Sequence, residues 1–414
     1  STTEEVTDNI DIRTGLREYH IDSHKGFFLN GEHIKLQGVS RHQDRENMGN
    51  AITEKQHAED VKIILDVGAN SVRLAHYQQN SYFYDLCDES GLLVWAEVPV
   101  ISRFSPKRNE NAEQQLVELI KQNYNHPSIF CWGIENEITI AGSASKKLIT
   151  FLKHMHKVAR HLDPTRYTTC AQLTMCPVNS PLNHITDIIG YNHYYGWYMG
   201  SCDEINNWLD EWHRENPEGK LCLSEYGAEG ITKYHSDSPV QGDYSEDYQA
   251  IYHEHYIKSI NERDWLWGSY VWNMFDFGSA SRNEGGVRGR NNKGLVTFDR
   301  KTKKDSYFWY KANWSEDPVL YLTQRRNVDR EKKVTSITVY SNIGEPKVFL
   351  NGQELSGIHK GYTDVHYIID NVTLADGKNI VKTVASKDGK TYEDTIEWMY
   401  TGEKKREADS FSIK

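Results

Sequence analysis

The alternation of patterns along this chain predicts an α/β fold: a (β/α)8 barrel followed by an antiparallel β-sandwich. Three observations carry that reading. Between about residues 33 and 277, short β-rich runs alternate with helical apolar periodicity, the mark of parallel strands joined by crossovers. Eight such runs occur, which suits a closed barrel better than an open sheet. Beyond 311–318 (KANWSEDP) the pattern turns to short alternating strands punctuated by Asn-Gly and Asp-Gly turns.

Taken in order, the candidate barrel strands are 33–40 (HIKLQGVS), 70–75 (NSVRLA), 92–99 (LLVWAEVP) and 128–137 (SIFCWGIENE). They continue with 167–172 (YTTCAQ), 187–194 (DIIGYNHY), 220–227 (KLCLSEYG) and 267–277 (WGSYVWNMFDF). Helices are expected between them. One opens at Thr53 with Gln56 three residues on, a capping-box pattern, and carries Ala58, Val61 and Leu65. A second sets Ala112, Leu116, Leu119 and Ile120 on one face, and a third does so with Leu148, Phe151, Leu152, Met155, Val158 and Leu162. The sandwich strands are VTSITVYSN, PKVFLNGQEL, VHYIIDNVTL, NIVKTVASKDGK and YEDTIEWMY, with turns at Asn351-Gly352, Asp376-Gly377 and Asp388-Gly389. Residues 1–26 read as the remnant of a preceding module, 27–314 as the barrel, 315–403 as the sandwich and 404–414 as a frayed tail.

Composition narrows the function classes. A chain of 414 residues has room for a large barrel and a smaller module. The net charge of −11 argues against a nucleic-acid partner, which would call for a basic face. No apolar run is long enough for a membrane helix, and the N-terminus shows neither a basic nor an apolar signal region. The six cysteines are scattered without metal spacing and read as buried free thiols. With 11 Trp and 25 Tyr the chain is rich in rings on which sugars stack, although a large core uses them too.

Barrel enzymes assemble their sites at the C-terminal ends of the strands. Those positions hold His42 and Asp44 after the first strand, Arg73 and His76 after the second, and Glu97 at the third. Asn136-Glu137 close the fourth, Asn192 and Tyr194 the sixth, Glu225 and Tyr226 the seventh, with Trp272, Asn273 and Asp276 near the eighth. Carboxylates outnumber the other metal-ligating groups on this rim, which points away from a metal centre. Two carboxylates across a cleft can cleave a glycosidic bond, one as proton donor and one facing the oxocarbenium-like centre. Strands four and seven lie opposite each other, so Glu137 and Glu225 fit those roles. A spacing of about 5–5.5 Å would mean retention through a covalent intermediate, a wider one inversion.

Six blocks now occur in order: 38–44 (GVSRHQD), 70–95 (NSVRLAHY to DLCDESGLLVW), 121–137 (KQNYNHPSIFCWGIENE), 190–198 (GYNHYYGWY), 223–227 (LSEYG) and 271–277 (VWNMFDF). Together they resemble glycoside hydrolase family 2, which holds β-galactosidases, β-glucuronidases and β-mannosidases. The resemblance implies a TIM barrel, an immunoglobulin-like sandwich after it, and a retaining exo-glycosidase acting by double displacement. It implies Glu137 as acid/base, Glu225 as nucleophile, Asn136 on the sugar 2-hydroxyl, and Tyr194 beside the nucleophile. Arg73, His42 and His76 would line the sugar subsite, with Trp272 as its apolar floor. Where large β-galactosidases hold a magnesium ion, the matching 97–104 (EVPVISRF) offers Ile101 and Arg103, so neither metal nor cofactor is expected. Leu74 and Gln78 depart from the small residue and the proline usual in the family. Members normally carry a jelly-roll domain before the barrel, so the resemblance also implies a truncated chain. It leans towards a periplasmic location and leaves a homo-oligomer open.

For the sugar, the segment after strand eight and the sandwich look more like the galactosidase relatives, so β-galactoside is the main expectation. The alternative is a β-glucuronidase holding its substrate carboxylate with Asn291 and Lys293, since 289–300 (GRNNKGLVTFDR) carries the Asn-x-Lys pattern. A non-catalytic carbohydrate-binding barrel is the alternative from another class; loss of either Glu would have favoured it.

Overall fold

The computed structural model describes residues 8–402; the expected tail at 404–414 lies outside them. Eight parallel strands close into a barrel with neighbours in chain order: β1 (Leu36–Arg41), β2 (Ser71–Leu74), β3 (Leu93–Glu97), β4 (Ile129–Asn136), β5 (Tyr167–Leu173), β6 (Ile188–Asn192), β7 (Leu221–Tyr226) and β8 (Gly268–Val271). Among the described residues seven α-helices surround it: α1 (Glu54–Asp66), α2 (Ser81–Ser90), α3 (Asn109–Asn123), α4 (Lys146–Leu162), α5 (Glu204–Glu215), α6 (Glu246–Asn261) and α7 (Asp305–Trp314). None is long and apolar enough to cross a membrane.

The expected faces of α3 and α4 are buried, but that of α1 is rotated: it buries His57, Asp60, Val61 and Ile64, and the expected Leu65 is 41% exposed. Leu148, Phe151, Leu152 and Met155 of α4 and Ala112, Leu116, Leu119 and Ile120 of α3 pack on the sheet. At the start of α1, Gln56 reaches back to accept the Thr53 N–H at 2.9 Å, so the capping box forms. One crossover differs from expectation. Between β5 and β6 the chain makes only a 3-10 turn, Pro181–His184, because Pro177 and Pro181 deny the backbone donors that an α-helix needs there.

The barrel is filled from below upwards. A three-stranded antiparallel sheet of Tyr19–Asp22, Gly26–Leu29 and Glu32–Ile34 lies under its N-terminal end. Ile21 and Phe27 from that sheet join Phe130, Trp267, Trp95 and Tyr270 in one apolar cluster. A boundary at residue 26 would cut this sheet in two, so residues 19–26 pack with the barrel rather than with a preceding module. Trp95 fits because Gly133 presents no Cβ; one there would stand 2.5 Å from the Trp95 indole nitrogen and from the Glu97 Cβ.

After α7 two sheets of four and five strands form the C-terminal sandwich around Ile337, Val339, Val348, Ile369, Val381 and Trp398. Two of its hairpins turn at Asn351-Gly352 and Asp388-Gly389, all four residues at positive φ, as the twist of a two-residue connection demands. The sandwich is tied to the barrel through Asp305, whose carboxylate accepts from Tyr321 Oη and from the Gln324 N–H, each at 2.6 Å.

The floor sheet should matter to the whole barrel. Phe27 is fully buried, and Phe27→Ala should cost about 3–5 kcal/mol, as for other large aromatic deletions in a core. Denaturant unfolding followed by tryptophan fluorescence measures it; a loss under 1 kcal/mol would show that the sheet is dispensable.

Candidate functional site

At the C-terminal end of the barrel lies a cavity of about 710 Å³. Its wall includes His42, His76, Asn136, Glu137, Tyr194, Glu225, Trp272 and Asn291 of the expected site residues. Arg73, Asn192, Asp44 and Lys293 do not line it and act from behind the wall.

Arg73, on β2, is the hub. Its Nε and Nη2 meet the two oxygens of Glu97 at 3.0 and 3.1 Å, Nη1 donates to Glu225 Oε1 at 2.8 Å, and Nη2 donates to Asn136 Oδ1 at 2.7 Å. Strands β2, β3, β4 and β7 are thereby joined by one fully buried guanidinium, seated over the Trp95 ring. Burial works against its charge, but Glu97 and Glu225 outweigh that and hold the group above its ordinary value. Glu97 was visible at the rim in the sequence without a role. It also takes the His76 Nδ1 at 2.5 Å, fixing the ring that stacks on Trp272 with centroids 5.1 Å apart.

The two rim carboxylates meet different surroundings. Glu225 accepts from Arg73 and, at 2.6 Å, from the Tyr194 hydroxyl. Burial first and Glu225 second push the Tyr194 phenol far up, so it stays a donor. Glu137 receives only the Asn192 amide, at 3.1 Å. Burial, then the negative Glu225, push its carboxyl up to about 7. Its backbone is in the left-handed region at φ 48°, a conformation that costs of order 1–3 kcal/mol outside glycine. The bonds from Glu137 N–H to the Ala171 carbonyl and from Ile140 N–H to the Glu137 carbonyl hold it there, at 2.8 and 2.9 Å. Glu135, two residues earlier in the same motif, does not line the cavity. It accepts from Ile138 N–H and Gln172, and burial raises its carboxyl to about 8.

Asn192 is positioned by Ser224, whose hydroxyl donates to its Oδ1 at 2.7 Å. Asn136 Oδ1 is occupied twice, by Arg73 and by Asn192 at 3.2 Å, which leaves its NH₂ for a ligand in the cavity. His42 stacks on Phe277 at 4.3 Å, and burial, then His76, push its imidazole well below the usual range, so it is neutral. Asp44 is a correction: it holds the wall rather than lining it, accepting the Gly278 N–H at 2.7 Å. Asp276 likewise stays below the rim, paired with Lys304 at 2.8 Å.

Strand eight is shorter than expected, because 272–276 leave the sheet. The segment that follows is a hairpin, Phe277–Glu284 against Val287–Asn291, turning at Gly285-Gly286. That two-glycine turn was the signal in the sequence for the missed hairpin. The hairpin pairs Asn291 with Phe277 on the cavity wall. Lys293 follows, buried behind Tyr198, with Nζ 2.7 Å from the Tyr198 hydroxyl and 3.1 Å from Glu229. Arg282, from the same hairpin, reaches Glu229 and Glu284 at 2.8 Å each and Tyr198 at 2.9 Å. Neither Arg282 nor Glu229 was singled out in the sequence, since only the folded hairpin brings them to Lys293.

Residues 21–316 match the family described as glycosyl hydrolases family 2, TIM barrel domain. A β-glucuronidase of Bacteroides fragilis is 41% identical over 408 residues, covering 94% of this chain and 57% of that protein. A solved Bacteroides fragilis structure, provisionally named a β-galactosidase, is 50% identical with a TM-score of 0.93, covering 96% of this chain and 59% of the other. The FMN-binding β-glucuronidase from Facaelibacterium prausnitzii is 46% identical with a TM-score of 0.89, over 94% and 59%. The chain thus spans under two thirds of the length of these relatives.

The raised Glu137 carboxyl sets a pH dependence of stability. Its ordinary value is 4.5 and its folded value about 7, so between those pH values the native state binds the extra proton and stability falls as pH rises. Glu137→Gln removes that contribution. Thermal unfolding at pH 5 and pH 8 should therefore show the variant gaining on the parent at pH 8; an unchanged difference would mean that Glu137 is not perturbed.

Proposed function

The chain belongs to glycosyl hydrolase family 2, and from that premise we propose that it is the catalytic part of a retaining exo-β-glucuronidase. Glu225 attacks the anomeric carbon while Glu137 gives its proton to the departing oxygen, leaving a glycosyl ester on Glu225. Glu137, now a base, takes a proton from water, whose oxygen attacks the same carbon and frees Glu225. The net change is one glycosidic bond hydrolysed with the anomeric configuration kept. Arg73 and Tyr194 hold Glu225 in line, and the free NH₂ of Asn136 meets the sugar 2-hydroxyl.

Galactose was the main expectation from the sequence, and the glucuronide alternative now takes its place. The observation that carries it is the cation pair beside Asn291: Lys293 and Arg282 share Glu229 and the Tyr198 hydroxyl at the cavity wall. A sugar carboxylate next to Asn291 would pair with Arg282 on the cavity wall through charge-assisted hydrogen bonds, with the Lys293 charge behind Tyr198 adding to the positive field. The names of the relatives at 41% and 46% identity support the same sugar. β-Galactoside remains the second reading, favoured by the name of the relative at 50% identity. A non-catalytic carbohydrate-binding role is disfavoured by the raised Glu137, a proton donor near neutral pH that binding alone does not require.

Hydrolysis of 4-nitrophenyl β-glucuronide and β-galactoside tests the sugar. Glucuronide turnover should dominate, and Arg282→Met should lower it by about 10- to 150-fold, the worth of hydrogen bonds to a charged group, while leaving any galactoside turnover alone. Equal losses on both, or a galactoside preference, would return the reading to galactose. Proton NMR of the first-formed sugar should show the β-anomer.

The acid/base role has its own signature. Glu137→Gln should lower kcat/KM about 10²- to 10⁴-fold, the usual worth of positioned proton transfer, and parent activity should fall as pH rises through about 7. Activity that persists in the variant, or that rises through that pH, would assign the proton to another group.

A further inference from the structure

The rim of the cavity is divided by chemistry. Among the described residues fourteen large hydrophobic side chains are exposed, and five of them, Ile101, Ile140, Met175, Tyr198 and Met199, stand on this one cavity wall, between 37% and 67% exposed. Exposed apolar side chains scattered singly need no explanation, but five gathered on the wall of one cavity mark a binding surface. These five follow the ends of β3, β4, β5 and β6, adjacent strands on one half of the barrel. The other half, from β8 through β1 to β2, supplies Trp272, His42 and His76.

Glu137 stands in the middle of the apolar half, at the end of β4 and three residues before Ile140. The group that protonates a leaving oxygen must face the leaving group, so the part of the substrate that departs lies against this arc. On the reading under Proposed function, which this step rests on, that part is the aglycone. A sugar in this position would ask for a dense set of hydrogen-bonding side chains. The arc offers Ser102 and Thr174, and the Thr174 hydroxyl already donates to the Asn192 carbonyl at 2.5 Å. We infer that the arc formed by Ile101, Ile140, Met175, Tyr198 and Met199 is a subsite for an apolar, ring-bearing aglycone, so that the substrates are glucuronides of phenolic or polycyclic alcohols rather than of glycan chains. Tyr198 supplies a stacking face, and the unbranched, polarisable Met175 and Met199 adjust to rings of different outline.

The test compares the parent with Ile140→Ser and Met175→Ser, exposed positions outside the proposed catalytic set. The substrates are β-D-glucuronyl fluoride, which has no aglycone, 4-methylumbelliferyl β-glucuronide, and a glucuronyl disaccharide. Each variant should lose at least about tenfold in kcat/KM on the methylumbelliferyl substrate, as expected when a pocket of this kind loses apolar contact. Turnover of the fluoride should stay within twofold of the parent, which also shows that the variants fold. The parent should prefer the methylumbelliferyl substrate to the disaccharide. Disaccharide preference, or equal loss on the fluoride, overturns the inference. Fluorescence titration with free 4-methylumbelliferone separates the two readings. Binding by the parent that weakens in both variants, with the fluoride inert, would keep the apolar subsite and remove the glucuronide assignment; no binding, with the fluoride turned over, would do the reverse.

Discussion

A single buried guanidinium orders the rim of this barrel. Arg73 touches side chains from β3, β4 and β7, and it lies on Trp95, the residue that fills the barrel interior beneath it. A charge in such a place is tolerable only when its donors are matched, since an unpaired one would carry a desolvation cost of several kcal/mol. Here all three guanidinium nitrogens are matched, each by an oxygen of Glu97 or Glu225. The arrangement is reciprocal: Glu97 and Glu225 are tolerated under the rim because Arg73 is there. Packing below and polarity above are therefore one structure, and Gly133 is the junction, since a side chain on it would displace both Trp95 and Glu97.

That asymmetry separates the two rim carboxylates. Arg73 and Tyr194 both converge on Glu225, while Glu137 faces Asn192 alone and feels Glu225 as a like charge. Two chemically identical groups thus receive opposite tasks from their partners, one cation-bound and the other kept as an acid near neutral pH. The same logic sets Glu137 apart from Glu135. Both are buried and both are raised, but Glu135 satisfies its oxygens with Ile138 and Gln172 and does not line the cavity.

What could be read from the sequence follows the range of the forces involved. Strand and helix patterns are local, and all eight barrel strands and the faces of α3 and α4 were legible, as was the capping box at Thr53. Residues at strand ends were legible because the barrel geometry fixes what lies there. The missing helix between β5 and β6 was overruled by two prolines inside an otherwise regular alternation. The Phe277–Asn291 hairpin was hidden because its first strand, FGSASRNE, is polar beyond Phe277, the residue at which the expected eighth strand ended. Asp44 sits next to residues that do line the cavity, and only its bond to Gly278, 234 positions away, shows that it braces the wall.

The sugar was the hardest property to read, and the reason is electrostatic. Asn291-Asn292-Lys293 is a short pattern whose meaning depends on what surrounds the lysine. In the fold its charge is shared with Arg282 and balanced by Glu229, with Glu284 as a further partner of Arg282. Glu229 is fully buried between the two cations, whereas the Glu284 side chain is 37% exposed and its pairing correspondingly weak. The cluster therefore contains one fixed counter-charge and one that solvent can replace. A carboxylate entering beside Asn291 would take the position of Glu284 on Arg282 without disturbing the Glu229–Lys293 pair. A neutral hexose has nothing to exchange there, and it would leave the cluster as it stands. On the proposed reading, specificity for an acidic sugar would reside in the difference between a buried and an exposed partner of the same arginine, a distinction that three folded segments make together and no single motif records.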